Sequence, residues 1–275
     1  MFWDIRCGAD LGCEVRLKQN LLELWRFRSL IAALIVRHLN SRYRGSVLGF
    51  VWSFLNPLCL IAVYSLVFKY YIRFNQVDHY TLFLFTGLLP WIWFSSGLIE
   101  ATSSISSGGS LISKAQFPPQ ILPVVAVLTN LVNFLLALPL LLLFMLISGV
   151  MPGVSFLVLP FVIFVELIFL LGLSLGLSAL NVHFRDIQHV LGNFITFWFF
   201  LCPVIYPLES IPEKFRFTLY LNPVALFTQM YHQIFIENLF PSWKYLALTT
   251  VIAVFTLLIG NLIFNRYREE FAELV

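Results

Sequence analysis

Two carboxylates, Glu100 and Glu166, stand inside long apolar runs. A carboxylate in hydrocarbon costs a few kcal/mol, so each is expected to face a helix interface or water, or to stay protonated. A proton relay is the chemistry such groups invite, but a relay needs more than two isolated carboxylates, which favours a structural role. The five histidines, His38, His79, His183, His189 and His232, show no ligand spacing such as HExxH, so no metal site is expected. Four aspartates without a DxD pair leave glycosyl transfer and hydrolysis without support. No GxxxxGK[ST] loop is present to cradle nucleotide phosphates, so ATP, if it drives this protein, must be held by another chain. Cys7, Cys13, Cys59 and Cys202 form no CxxC and read as free thiols.

With little reactive chemistry, the elements themselves carry the argument. Sixty per cent of the 275 residues are hydrophobic and 11% are charged, and the mean hydropathy is +0.88. That leaves too few polar side chains to coat a water-soluble globule, so the class is all-α integral membrane. Val47 to Phe68 holds 22 residues without a charge, more than the roughly 20 a helix needs to cross about 30 Å of hydrocarbon. The change from basic to apolar falls at Gly45, Ser46 and Gly49.

Six spans are expected, at about 47–71, 80–105, 121–148, 156–180, 187–206 and 245–264. Pro90 should kink the second. In the fourth, Gly172 and Gly176 have the GxxxG spacing that lets helix backbones approach closely in lipid. Residues 207–241 are apolar but broken by Pro207, Pro212, Pro223 and Pro241. They read as two short re-entrant or interfacial helices, with Ser210 to Glu213 as a capping box and Asn222-Pro223 as an N-cap followed by proline at the first helical position.

Ahead of the spans, residues 1–19 form a polar extension without a signal-peptide pattern, and 20–46 an amphipathic interface helix. On that helix Arg26, Arg37 and Arg44 fall near one stripe, with Leu21, Leu24, Ile35 and Leu39 roughly opposite. Residues 266–275 are a charged tail. Of the 17 Lys and Arg residues, twelve fall on the side of the termini and five on the other, which puts both termini in the cytoplasm. The loops at 106–120 and 183–188 are then cytoplasmic. No basic run interleaves with stacking aromatics, so nucleic acid is not an expected partner.

Tyr64, Phe68 and Tyr71 line one helical stripe near the far end of the first span. Phe194, Phe197, Trp198 and Leu201 repeat at helical spacing in the fifth. Aromatic faces suit a sliding sugar chain, because they stack on C–H-rich ring faces without strong directional bonds. Aromatic residues also gather at membrane interfaces for lipid-related reasons, and both readings stand.

The series Arg37, Arg42-Tyr43-Arg44, Ser46, Leu48-Gly49, Trp52, Asn56-Pro57, Tyr64 and Val67-Phe68 resembles the opening of the membrane subunits of polysaccharide-exporting ABC transporters, the ABC-2 type permeases. Gly87-Leu88-Leu89-Pro90-Trp91, Phe117-Pro118, Ile121-Leu122-Pro123, Asn181, Phe184-Arg185-Asp186, Pro203, Tyr206 and Asn222-Pro223 extend the likeness over about residues 20–268. His38, Asn40, Gly108-Gly109 and Ala115 depart from the family pattern.

The resemblance implies a permease without its own nucleotide site, moving a lipid-linked polysaccharide such as O-antigen across the bacterial inner membrane. It implies a second copy of the chain, two copies of an ATPase holding ATP and Mg, and a pathway lined by the first and fifth spans. By the same likeness Lys114, Phe117, Pro118, Arg185 and Asp186 would dock on the ATPase. For Arg185 and Asp186 a capped, paired turn is the plainer alternative. Export of teichoic acid, other lipids or small molecules is the alternative within transport, and a polytopic enzyme acting on lipid-linked sugars the alternative outside it.

Overall fold

The computed structural model describes residues 20, 22–43, 45, 49–71, 79–108 and 117–271. Among them every regular element is helical. We number the α-helices α1 (Arg28–Tyr43), α2 (Trp52–Ser65), α3 (Tyr80–Ser107), α4 (Ile121–Ile147), α5 (Leu159–His183), α6 (Ile187–Phe200), α7 (Phe217–Leu221), α8 (Pro223–Phe235) and α9 (Trp243–Tyr267). Among the described residues four stretches are long and apolar enough to cross a membrane: α3, α4, α5 with the 3-10 turn before it (Val154–His183), and α9.

The hub is α3, the least apolar of the four long stretches: it carries serines, threonines and Glu100, polar groups that are costly against lipid and favour a place inside the protein. Seventy-eight per cent of its apolar stretch is buried, against 28% for α4, 33% for the α5 stretch and 22% for α9. Phe94 on α3 stacks near Phe169 of α5 at 6.0 Å and meets Trp198 of α6 edge-on at 5.3 Å. Gly87 is small for a reason, since a Cβ there would lie 2.9 Å from His232 Nε2 and 3.3 Å from the Val204 backbone. The helix runs unbroken through Pro90.

The GxxxG expectation is met, with a partner the spacing does not name. A Cβ on Gly172 would come within 2.5 Å of the Leu257 backbone nitrogen, and Gly176 lies 3.4 Å from the Gly260 Cα by the same measure. The two longest-packed helices, α5 and α9, therefore cross at backbone distance, with Gly260 of α9 filling the role of the third small residue.

The first expected span is helical over Trp52–Ser65 and continues as a π-helical turn, Leu66–Tyr71. Before it, Gly45 and Gly49 adopt positive φ of 82° and 50°, backbone conformations that glycine reaches without a Cβ penalty. Ser46 lies outside the described residues. The fifth expected span, 187–206, is regular only to Phe200. Residues 201–206 turn instead, because Pro203 has no N–H to give and disfavours helix at Cys202 before it. Tyr80 at the head of α3 donates its hydroxyl to the Ile205 carbonyl at 2.7 Å and pins that turn.

Within 207–241 the Asn222-Pro223 expectation holds in detail. Asn222 Oδ1 accepts from the Ala225 amide at 3.3 Å, and Pro223 opens α8. The capping-box expectation does not. Ile211, preceding a proline, is extended (ψ 123°), and the 3-10 turn Glu213–Phe215 starts only after Pro212. α8 is buried on almost every side chain, from Val224 to Phe235, so it dips into the bundle and does not lie on its surface.

α1 packs on the start of α4. Ile31 is buried against Ile121 and Val125, flanked by Leu24, Phe27, Leu34 and Ile35. Arg26 and Arg37 are exposed, Arg37 at a cleft it lines with Leu34, Glu100 and Val125, and Arg44 lies outside the described residues.

Candidate functional site

At one end of the bundle the two described chain ends and two inter-helix turns meet in a polar network. Asn20 Nδ2 donates to Asn261 Oδ1 at 2.7 Å and to Asn265 Oδ1 at 3.1 Å. Glu23 pairs with Arg268 at 3.0 Å and accepts from Gln120 Nε2 at 3.2 Å. His183 Nε2 lies 2.5 Å from Glu270 Oε2, and its ring sits 4.5 Å from that of Tyr267. These hydrogen-bonded partners are 87 to 245 residues apart in sequence.

Two of the expected docking residues, Arg185 and Asp186, are exposed at this end, in the turn between α5 and α6. Asp186 makes no side-chain cap. The cap comes from Asn181, whose Oδ1 accepts the Gln188 amide at 3.1 Å. Asn181 is 1% exposed and also donates to Ser106 Oγ at 3.4 Å. The turn is thus capped, by Asn181, and the Arg185 and Asp186 side chains are exposed. Phe117 and Pro118 lie at the same end. Phe117 packs beside Ile31 and Ile121, and the buried Pro118 gives its carbonyl to the Ile121 amide at 3.1 Å. Lys114 lies outside the described residues.

The aromatic residues expected to line a pathway divide into two groups. Tyr71 and Phe197 are each 74% exposed, and Phe194 51%. Tyr64, Phe68 and Trp198 are packed. Tyr64 lies 6.2 Å from Phe68 and 5.8 Å from Phe199 between ring centroids, so α2 and α6 meet through Phe199, a residue outside both expected stripes. Trp198 donates its indole N–H to Asn222 Oδ1 at 2.8 Å and lies against Phe94 and Phe194. It therefore ties α6 to the cap of α8.

Both lone carboxylates are satisfied across helices. Glu100 holds Arg42 at 3.3 Å and accepts from Asn130 Nδ2 at 2.8 Å. Glu166 accepts from the Tyr231 hydroxyl at 2.6 Å, with both residues buried. Sequence patterns do not reveal these pairs, because the partners are 30 to 65 residues apart; the only signal is that a carboxylate in an apolar run demands one. The stretch Gly172-Leu173-Ser174-Leu175-Gly176 also has the GxSxG spacing of a hydrolase elbow. It is plain helix with Ser174 fully buried, not the strand-to-helix turn that chemistry needs, so the spacing serves packing.

A bundle built around a largely buried helix, with a polar end and exposed aromatic flanks, fits a membrane permease, and comparison with known proteins decides the family. Residues 29–236 match the ABC-2 type transporter family. The chain belongs to the ABC-2 type transporters. It is 42% identical to an O-antigen export system permease protein of Myxococcus xanthus, over 91% of this chain and 97% of the relative. It is 31% identical to an O-antigen export system permease protein of Klebsiella pneumoniae, over 95% and 100%. It is 24% identical to a polysialic acid transport protein of Escherichia coli, over 87% and 93%. The ABC-2 match spans α1 to α8, so the burial of α8 and the packing of α1 on α4 both belong to the family region.

Proposed function

We propose that this ABC-2 chain is the transmembrane subunit of an ATP-driven exporter that carries a lipid-linked, O-antigen-like polysaccharide from the cytoplasmic to the outer side of the inner membrane. The observation that carries the reading is the 42% identity to an O-antigen export permease along nearly the full length of both chains. ATP and Mg would reside on a separate ATPase, two copies of which serve two copies of this chain. With α3 buried at the centre of one bundle, a path between two copies is favoured. The exposed aromatic residues Tyr71, Phe194 and Phe197 would face that path.

Both termini are read as cytoplasmic from the distribution of Lys and Arg, and six spans would result if α2 with its π turn, and α6 with the turn after it, complete the four long helices. The polar end built from Asn20, Gln120, Asn181 and Arg268 would then meet the ATPase, with Arg185 and Asp186 outward. Deletion of the gene followed by immunoblotting of surface and intracellular glycan tests the reading. Loss of surface polysaccharide with accumulation inside, restored by this chain, supports it; unchanged surface polysaccharide would overturn it.

A further inference from the structure

Residues 266–275 read as a charged tail, yet the chain turns back on itself there. After α9 the 3-10 turn Arg268–Glu270 leads to Phe271, which is fully buried. Its ring meets Phe264 edge-on at 5.3 Å and packs with Ile105 at the end of α3 and with Ala179 and Val182 at the end of α5. A buried aromatic ring carries a large apolar area, so it fixes the course of the short turn before it. The charged side chains of that turn are thereby set against two different segments. Glu270 reaches His183 at 2.5 Å, and Arg268 reaches Glu23 at 3.0 Å and Asn20 Oδ1 at 3.4 Å.

Both contacts lie beside segments read above as facing the ATPase. His183 comes just before the exposed Arg185 and Asp186, so Glu270 grips their turn from the α5 side. Asn181 fastens the same turn internally, through the Gln188 amide at 3.1 Å. Glu23 Oε2 accepts from both Arg268 and Gln120 Nε2, and Gln120 directly follows Pro118 and Pro119. One short turn therefore joins the 184–186 turn to the segment ahead of α1 and to the approach to α4. Partly exposed ion pairs of this kind add little to folding stability. What they fix is position, since they hold the tail against residues 87 and 245 places away in sequence.

We propose that residues 268–271 are a brace that moves the 184–186 turn and the N-terminal helix as one body when the ATPase closes, with Glu270 and Arg268 as its positioning residues. This rests on the reading that Arg185 and Asp186 dock on the ATPase. A turn held on both flanks passes a push into α5, and from there into α9 across the close crossing of Gly172 and Gly260. A turn freed on one flank gives way instead.

The test compares wild type, Glu270→Ala and Glu270→Gln in the full export complex. It reads surface polysaccharide by immunoblot, ATP hydrolysis by the purified complex, and the thermal midpoint. Glu270→Ala should lower the ratio of surface polysaccharide to ATP hydrolysis about fivefold. Assembly and thermal midpoint should stay unchanged, because Glu270 is about half exposed. Glu270→Gln still offers His183 an acceptor and should recover most of the ratio. A wild-type ratio in Glu270→Ala overturns the proposal. So does a Glu270→Gln variant as impaired as Glu270→Ala, or a loss of export matched by a fall in thermal midpoint, which marks the contact as one of folding alone. The docking reading fails by a different result, normal coupling after charge reversal at Arg185. An uncoupled Arg185 variant beside a normal Glu270→Ala removes the brace and leaves docking standing.

Discussion

Gly260 of α9 approaches Gly172 of α5 so closely that a Cβ on Gly260 would overlap the Gly172 carbonyl oxygen. Overpacking at such a crossing costs about 1–3 kcal/mol. Gly260→Ala and Gly172→Ala should therefore lower the thermal midpoint in detergent clearly. Gly176→Ala, whose Cβ would meet nothing nearer than 3.4 Å, should stay near wild type. Three equal midpoints would contradict the close crossing.

The Tyr231–Glu166 hydrogen bond makes an asymmetric prediction. Tyr231→Phe leaves a buried carboxyl group without its donor and should destabilise by about 1–3 kcal/mol. Glu166→Gln keeps an acceptor for the Tyr231 hydroxyl and should cost less. Chemical denaturation of both variants checks the order, and a larger loss in Glu166→Gln would sink it.

Among the aromatic residues, exposure separates folding from transport. Tyr71→Ala and Phe197→Ala remove exposed rings and should leave assembly with the ATPase intact, changing stability by no more than about 0.5 kcal/mol. If these rings face the glycan, the double variant should cut surface polysaccharide severalfold. Trp198→Ala should instead destabilise the subunit by about 3 kcal/mol, since it empties packing against Phe94 and breaks the bond to Asn222. Full export by the Tyr71 and Phe197 double variant would remove them from the pathway.

Charge reversal at Arg185 should weaken co-purification with the ATPase or uncouple its hydrolysis while the subunit remains folded, because the side chain is exposed. Lys114→Glu should act in the same way. Asn181→Ala should do both harms at once, lowering the thermal midpoint as well as coupling, since it unfastens the turn that presents Arg185. Normal coupling in all three would place docking elsewhere.

Much of this protein was legible from order along the chain. Asn222-Pro223 is a helix start whose capping partner, Ala225, is three residues away, so the sequence alone specifies it. The four long apolar helices follow from length and hydropathy, which need no partner to be read. The turn at Gly45 and Gly49 follows from the one residue type that adopts positive φ freely.

The stripes were less secure, because a periodicity states that side chains share a face and not what the face touches. Tyr64 and Trp198 share stripes with Tyr71 and Phe197, yet two are packed and two are exposed. α6 ends at Phe200, short of the expected 206, because Pro203 stops a helix within an apolar run that hydropathy treats as continuous.

Local chemistry along the chain settles which segments are helical, where they start and that they are apolar enough for lipid. Pairing is a matter of distance in space. Gly172 needs Gly260, Glu100 needs Arg42 and Asn130, Glu166 needs Tyr231, and Asn20 needs Asn261. Each requirement is visible in one residue, but its answer lies 30 to 241 positions away, and only the packing of helices against one another supplies it.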